Sequence, residues 1–309
     1  MVRAVSPYGS GGTEMRCYMA VYQISNDQIS IQIDSMGAEL KSLKKLDTDT
    51  EYMWEGNPEY WKRTSPVLFP LVGGLRGGNY LLDGKRYPMG QHGFARDMEF
   101  QLKSQSGNEI WFSLASDAQT LEKYPYAFVL EIGYELKQTT VAVKWKVSNP
   151  ADETMYFSIG GHPAFCCPIA KGEEQEEYKI WFDAKDQVIS GVIESGLMSE
   201  KEEVYSLQDG CLQVTEHLFD QDALVIEKDQ VHKVALVKPD GSHYVTVSFD
   251  APLFGIWSPP GKKAPFICIE PWYGRCDALD FDGTWQEREW GQKLPAGESF
   301  EAAYQITVQ

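Results

Sequence analysis

The chain has few of the residues that would tie it to metal, redox or nucleic-acid chemistry. Only five histidines and six cysteines occur in 309 residues, and no two cysteines form a Cys-x-x-Cys pair. Cys166 and Cys167 are adjacent, which disfavours a strain-free disulfide between them, so reduced thiols and a cytoplasmic setting are expected. No apolar run is long enough to span a bilayer. No basic stretch followed by an apolar one opens the chain, so a secretory signal is not expected. None of the five asparagines begins an Asn-x-Ser/Thr acceptor. Gly-x-Ser-x-Gly is missing, which leaves a serine hydrolase without support. Positive charge is scarce as well: 28 basic residues face 45 acidic ones, for a net charge of −17. A field of that sign disfavours nucleic acid and anionic membranes as partners.

What is abundant is strand-forming material. Hydrophobic residues make up 43% of the chain and aromatics 13%, enough for a sizeable core and a binding surface besides. Ile29, Ile31 and Ile33 alternate with polar residues before Met36-Gly37-Ala38 breaks the run. Val141, Val143, Trp145 and Val147 oppose Lys144 and Lys146, and Gln138-Thr139-Thr140 turns the chain back from Val129–Leu136. Val245, Val247 and Phe249 repeat the pattern, and the chain closes on a strand at 305–308. Helical signal is confined to Asp117–Lys123, with a cap expected near Ser116 and a stop before Pro125. Many short strands between Gly, Pro, Asn and Asp turns predict an all-β sandwich or barrel. Residues 1–14 read as a flexible leader or an added remnant, and 15–309 as one domain.

Three segments have a different character: Gln91-His92-Gly93-Phe94-Ala95-Arg96-Asp97, Gly160-Gly161-His162-Pro163-Ala164-Phe165, and Ile267-Cys268-Ile269-Glu270-Pro271-Trp272-Tyr273-Gly274. Each sets an ionisable side chain at the end of an apolar or turn segment, where rigid elements present groups to a cleft. Taken singly, His162 reads as a turn histidine, His92 as a chain reversal, and Glu270 as a strand-end carboxylate paired with Arg275. Their combination suits proton transfer on a neutral polar substrate. Glu270 stands beside Trp272 and Tyr273, where desolvation raises a carboxylate toward useful base strength and aromatic faces can cover a sugar's C–H surface. Gly73-Gly74-Leu75-Arg76-Gly77-Gly78 lacks the Gly-Lys-Ser/Thr ending of a phosphate cradle and reads as a turn. That loop and Ser258–Lys263 are expected to border the cleft. His217, His232 and His243 have no metal-ligand spacing.

The order of these segments resembles the aldose 1-epimerase (galactose mutarotase) family, and within it the bacterial LacX-like branch. The likeness extends from about residue 20 to the C-terminus. It also takes in Trp61-Lys62-Arg63-Thr64-Ser65-Pro66-Val67-Leu68-Phe69-Pro70, Asp83-Gly84-Lys85-Arg86-Tyr87 and Asp222-Ala223-Leu224-Val225-Ile226. The resemblance implies a large antiparallel β-sandwich of the galactose mutarotase-like supersandwich type with a sugar cleft, and interconversion of the α and β anomers of a free aldohexose. It implies His162 as general acid and Glu270 as general base. Substrate contacts fall on His92, Arg63, Arg96, Asp222 and Trp272. No cofactor and no metal are expected, and a monomer or homodimer is. The family's Gly-Arg-Tyr-Ala-Asn-Arg segment is here Phe69-Pro70-Leu71-Val72-Gly73-Gly74, so its arginine is missing in place, with Arg63 and Arg96 as stand-ins. Two other readings stay open: a hexose-6-phosphate 1-epimerase using Arg63, Arg76 and Arg96, and a carbohydrate-binding or sensing protein without turnover.

Overall fold

A computed structural model describes residues 20–309. The expected leader, residues 1–14, lies outside the described residues. All paired strands are antiparallel, apart from isolated parallel bridges such as Phe69 to Gly93. The larger sheet runs in the order Cys211–Gln213, Lys179–Phe182, Lys233–Val237, His243–Phe249, Ser299–Val308, Thr140–Ser148, Val129–Lys137, Glu109–Ala115 and Gln101–Gln105. A second sheet runs Leu197–Ser206, Gln187–Glu194, Leu224–Ile226, Leu253–Trp257, Phe266–Tyr273, Ile159–Gly161 and Val67–Leu68, with Ala164–Cys166 also paired to Phe266–Tyr273. A four-stranded sheet formed by residues 21–51 completes the main architecture. The predicted all-β sandwich is what the chain adopts.

Side-chain alternation explains the layering. Val141, Val143, Trp145 and Val147 are buried as the period-two pattern requires, and so are Tyr304 and Ile306 on the neighbouring strand. Trp145 meets Tyr273 edge-on at 6.5 Å between ring centroids, and Phe182 and Phe249 reach Phe254, so aromatic side chains join the two large sheets. The hairpin expected at Gln138-Thr139-Thr140 is present, with Gln138 at φ 54°.

The single α-helix among the described residues, Ala118–Lys123, differs from expectation in its cap. Asp117 accepts the Thr120 N–H and Thr120 Oγ1 accepts the Asp117 N–H, both at 2.8 Å. Ser116 instead accepts the Phe128 N–H at 3.2 Å. A carboxylate that can close the reciprocal box outcompetes the hydroxyl one residue earlier.

The strand Phe266–Tyr273 is buried on both faces. Ile267, Ile269 and Tyr273 pack into the core shared with the larger sheet, whereas Phe266, Cys268 and Trp272 join apolar clusters on the opposite face. This two-sided burial is why the segment reads as continuously apolar. Glu270, on the second face, is the one ionisable carboxyl in the run and is only 1% exposed.

Candidate active site

The register of the second sheet assembles the site. Gly160 pairs with Trp272 and Ala164 pairs with Cys268, so His162, in the interruption between these ladders, falls opposite Glu270. On the other side of Glu270 stands Gly255, whose missing side chain admits the Trp272 ring. The ladder gap comes from Pro163, which has no N–H to give but accepts the Ile269 N–H at 3.2 Å. His162 Nε2 approaches Glu270 Oε2 to 3.2 Å, with both side chains buried. Neither His162 Nδ1 nor Glu270 Oε2, both buried, has an aligned hydrogen-bond partner.

Three rings surround the His162 imidazole. Trp61 stacks on it at 4.7 Å and 30°, Trp257 meets it edge-on at 5.5 Å, and His92 lies edge-on at 5.7 Å. Trp61 is anchored by the Trp54 indole, which donates to its carbonyl at 2.9 Å. Sequence reading gave no role to Trp61 or Trp257. Their signal was faint: a tryptophan next to Lys62-Arg63, and another ending a strand before the Ser258-Pro259-Pro260-Gly261 turn.

His92 is set by backbone on two sides. Its turn lies against the Phe69 carbonyl, which accepts from Phe94 and Ala95 at 3.0 and 3.1 Å. A Cβ on Gly93 would come within 2.3 Å of that carbonyl oxygen, and Gly93 has φ 70°, so glycine is required. The Gly73 N–H donates to His92 Nδ1 at 3.1 Å. That bond makes Nδ1 an acceptor and assigns the proton to Nε2. Burial, the neighbouring His162 and the two arginines push the His92 pKa well down, so the ring is a neutral donor.

The arginines form a cationic flank. Arg63 Nη2 donates to both carboxylate oxygens of Asp97 at 2.9 and 3.2 Å, and Arg96 Nη2 donates to the Gln91 carbonyl at 2.7 Å. Arg96 Nε is buried without a hydrogen-bond partner. Burial and the nearby Arg63 lower the Arg96 pKa to about 10, so it stays charged at neutral pH. Across the cleft, Asp222 adopts φ 74° and accepts the Ala223 N–H at 2.9 Å. Burial raises its pKa, while the Trp257 indole favours its ionised form.

His162, Glu270, His92, Arg63, Arg96, Asp222 and Trp272 all line one cavity of about 440 Å³, together with Trp61, Trp257 and Met198. Gly73 and Pro260 contribute to its wall, so both irregular loops border the cleft as expected. Other residues depart from the sequence reading. Tyr273 points into the core between the sheets, because it is one step out of phase with Trp272. Arg76 lies outside the cavity and donates to the Phe281 carbonyl at 3.0 Å. Arg275 is engaged by Glu227 and Glu289 and not by Glu270.

Burial dominates the electrostatics of the central pair. It pushes His162 down to about 3, reinforced by Arg96 and Arg63. It holds Glu270 well above the usual carboxyl range, reinforced by Asp222 and opposed by the Trp272 indole. Both shifts favour the uncharged forms, a neutral imidazole beside a protonated carboxyl. The Cys268 thiol lies next to this pair: ligand atoms of His162, Cys268 and Glu270 are all within 4.8 Å of one another.

A sandwich of this topology has counterparts among known proteins. The family model described as aldose 1-epimerase matches residues 20–307. The chain belongs to the aldose 1-epimerase family. A curated relative, protein LacX of Lactococcus lactis subsp. lactis, is 29% identical over 93% of this chain and 98% of its own length. The X-ray structure of a galactose mutarotase related enzyme from Lactobacillus acidophilus is 34% identical and covers 94% of this chain and 97% of its own, with a TM-score of 0.88. A galactose mutarotase-like protein from Lactobacillus casei ATCC 334 is 30% identical and covers 94% and 100%, with a TM-score of 0.87.

Proposed function

We propose that this protein is an aldose 1-epimerase that interconverts the anomers of a neutral aldohexose. The observation that carries the reading is the 3.2 Å approach of the buried His162 and Glu270 side chains at the wall of a cleft of sugar-compatible size. In this mechanism the shared proton moves from Glu270 to His162 as sugar hydroxyls hydrogen-bond to the carboxylate and stabilise its ionised form. Glu270 then takes the proton of the anomeric hydroxyl while His162 gives its proton to the ring oxygen, and the C1–O5 bond opens. The aldehyde turns about C1–C2 and recloses on its other face by the reverse transfers. Proton count is restored after each turnover. Each positioned acid or base contributes roughly 100- to 10,000-fold.

His92, as a neutral Nε2–H donor, is suited to hold the sugar near the ring oxygen without removing its proton. Asp222 and the arginines would orient the remaining hydroxyls, and Trp272 with Trp61 and Trp257 supplies apolar wall. Trp272 packs over Gly160 and Gly255 with little exposed face, so its part is more wall than stacking platform. The described cysteines are free, which suits a cytoplasmic enzyme. Polarimetry on freshly dissolved α-anomers tests the proposal directly: the protein should accelerate equilibration beyond the buffer rate, and failure across a panel of aldoses would reject it.

A second reading has one observation in its favour. Arg63 and Arg96 both face the cavity, and the buried Arg96 Nε is unpartnered. A phosphorylated hexose could use that flank.

A further inference from the structure

We propose that His162 and Glu270 on the cleft wall, with Cys268 buried behind them, also form an inhibitory binding site for a thiophilic divalent cation of the Zn2+ type. Cys268 and Glu270 are two residues apart on one strand and project to the same face, and His162 and Ala164 oppose them across the ladder. A small alanine thus faces the thiol. The ligand atoms lie within 4.8 Å of one another. Tetrahedral bonds of about 2.0–2.3 Å set neighbouring ligand atoms about 3.3–3.7 Å apart. His162 Nε2 and Glu270 Oε2, at 3.2 Å, already meet that spacing. The thiol lies within 4.8 Å of both, and drawing it in to tetrahedral spacing completes the set. Glu270 Oε2 is buried with no aligned hydrogen-bond partner, which leaves it available to ligate.

The donor set selects the cation. Imidazole, thiolate and carboxylate suit Zn2+ or Co2+, whereas Mg2+ and Ca2+ require oxygen-rich shells. On binding, the thiol and carboxyl protons pass to solvent. The cation would occupy the two atoms that exchange protons with the sugar, so turnover stops. That last step rests on the epimerase reading, but binding itself does not.

The test titrates chelator-treated full-length protein with Co2+, then with Zn2+, as wild type and as Cys268→Ala. Wild type should bind one Co2+ with a near-ultraviolet thiolate-to-cobalt absorption that Zn2+ abolishes. Cys268→Ala should lack that band. Zn2+ should slow mutarotation of wild type at concentrations at least ~10-fold below those needed for Cys268→Ala, each compared with its own metal-free rate. No thiolate band in wild type overturns the proposal, and that measurement does not depend on the variant folding. Equal Zn2+ sensitivity of the two folded proteins also overturns it. If neither protein shows mutarotation, the cobalt spectrum still decides whether the site exists, separately from the epimerase reading.

Discussion

The Gly73 N–H donates to His92 Nδ1 at 3.1 Å, and His92 returns its own N–H to the Gly73 carbonyl at 2.8 Å. One residue thereby fixes both the backbone and the tautomer of a cleft histidine 19 positions away. Gly73 has φ 74°, and a Cβ there would fall 2.5 Å from the Cys276 nitrogen. Gly73→Ala should therefore displace the loop and release the Nδ1 bond. Nitrogen NMR of His92 should change from a single Nε2–H tautomer to a mixture, with kcat/KM reduced at least ~10-fold. An unchanged tautomer in the folded variant would show that Gly73 does not set it.

The acid–base assignment makes a sharper demand. Glu270→Gln keeps the shape but removes the base, and His162→Asn removes the imidazole proton carrier. Each should lower kcat by at least ~100-fold while circular dichroism and thermal unfolding show a retained fold. Polarimetric rates near wild type in either folded protein would take that residue out of the mechanism.

The pH profile follows from the shared proton. His162 gains a second proton for the pair only as pH falls toward about 3, and Glu270 surrenders the only one above its raised pKa. Arg63 and Arg96 face the pair from one side, His92 adjoins it, and Asp222 and Cys268 lie on the carboxyl side. After subtraction of the buffer rate, kcat/KM should be flat through pH 6.5, with its decline on the alkaline side. An acid limb near 6.5 that vanishes in His162→Asn would mean that His162 titrates as an exposed imidazole.

The same shifts bear on stability. Glu270 in the folded state keeps its proton above the unfolded carboxyl pKa of about 4.3, so its contribution falls as pH rises toward the folded value. His162 resists protonation in the folded state, so its contribution rises with pH from about 3 to about 6.5. The two slopes oppose one another where they overlap, above about pH 4.3. The His162 slope is common to both proteins, so Glu270→Gln should gain stability over wild type progressively as pH rises above about 4.3, as read by urea midpoints across pH. A difference independent of pH would contradict the raised carboxyl.

Much of this was legible in the sequence, for identifiable reasons. Strand alternation exposed the sandwich because Val141 to Val147 and Val245 to Phe249 each have one buried face, and the odd context of His92, His162 and Glu270 singled out residues that now share a cavity. The loop from Gly73 to Gly78 looked like a plain turn, since the partner of Gly73 is a ring far along the chain. Trp61 and Trp257 were passed over because stacking on His162 depends on three separate segments meeting. Tyr273 was placed beside the sugar because local adjacency to Glu270 ignores the alternation that sends it to the opposite face.

Substrate charge is where the two enzymatic readings part. A net charge of −17 slows the approach of an anion, which favours a neutral hexose. The local field is opposite in sign, with Arg63 and Arg96 on the cavity wall, but Arg63 is already committed to Asp97 at 2.9 Å. Arg76, the third candidate for phosphate, lies outside the cavity and bonds Phe281. With one guanidinium committed and another outside, a bidentate phosphate clamp is incomplete. Matched assays of a hexose and its 6-phosphate at low and moderate salt should show the higher kcat/KM for the neutral sugar, with little salt dependence. A preference for the phosphate that weakens with salt and disappears in Arg63→Ala or Arg96→Ala would reverse this conclusion and make the arginine flank the specificity element.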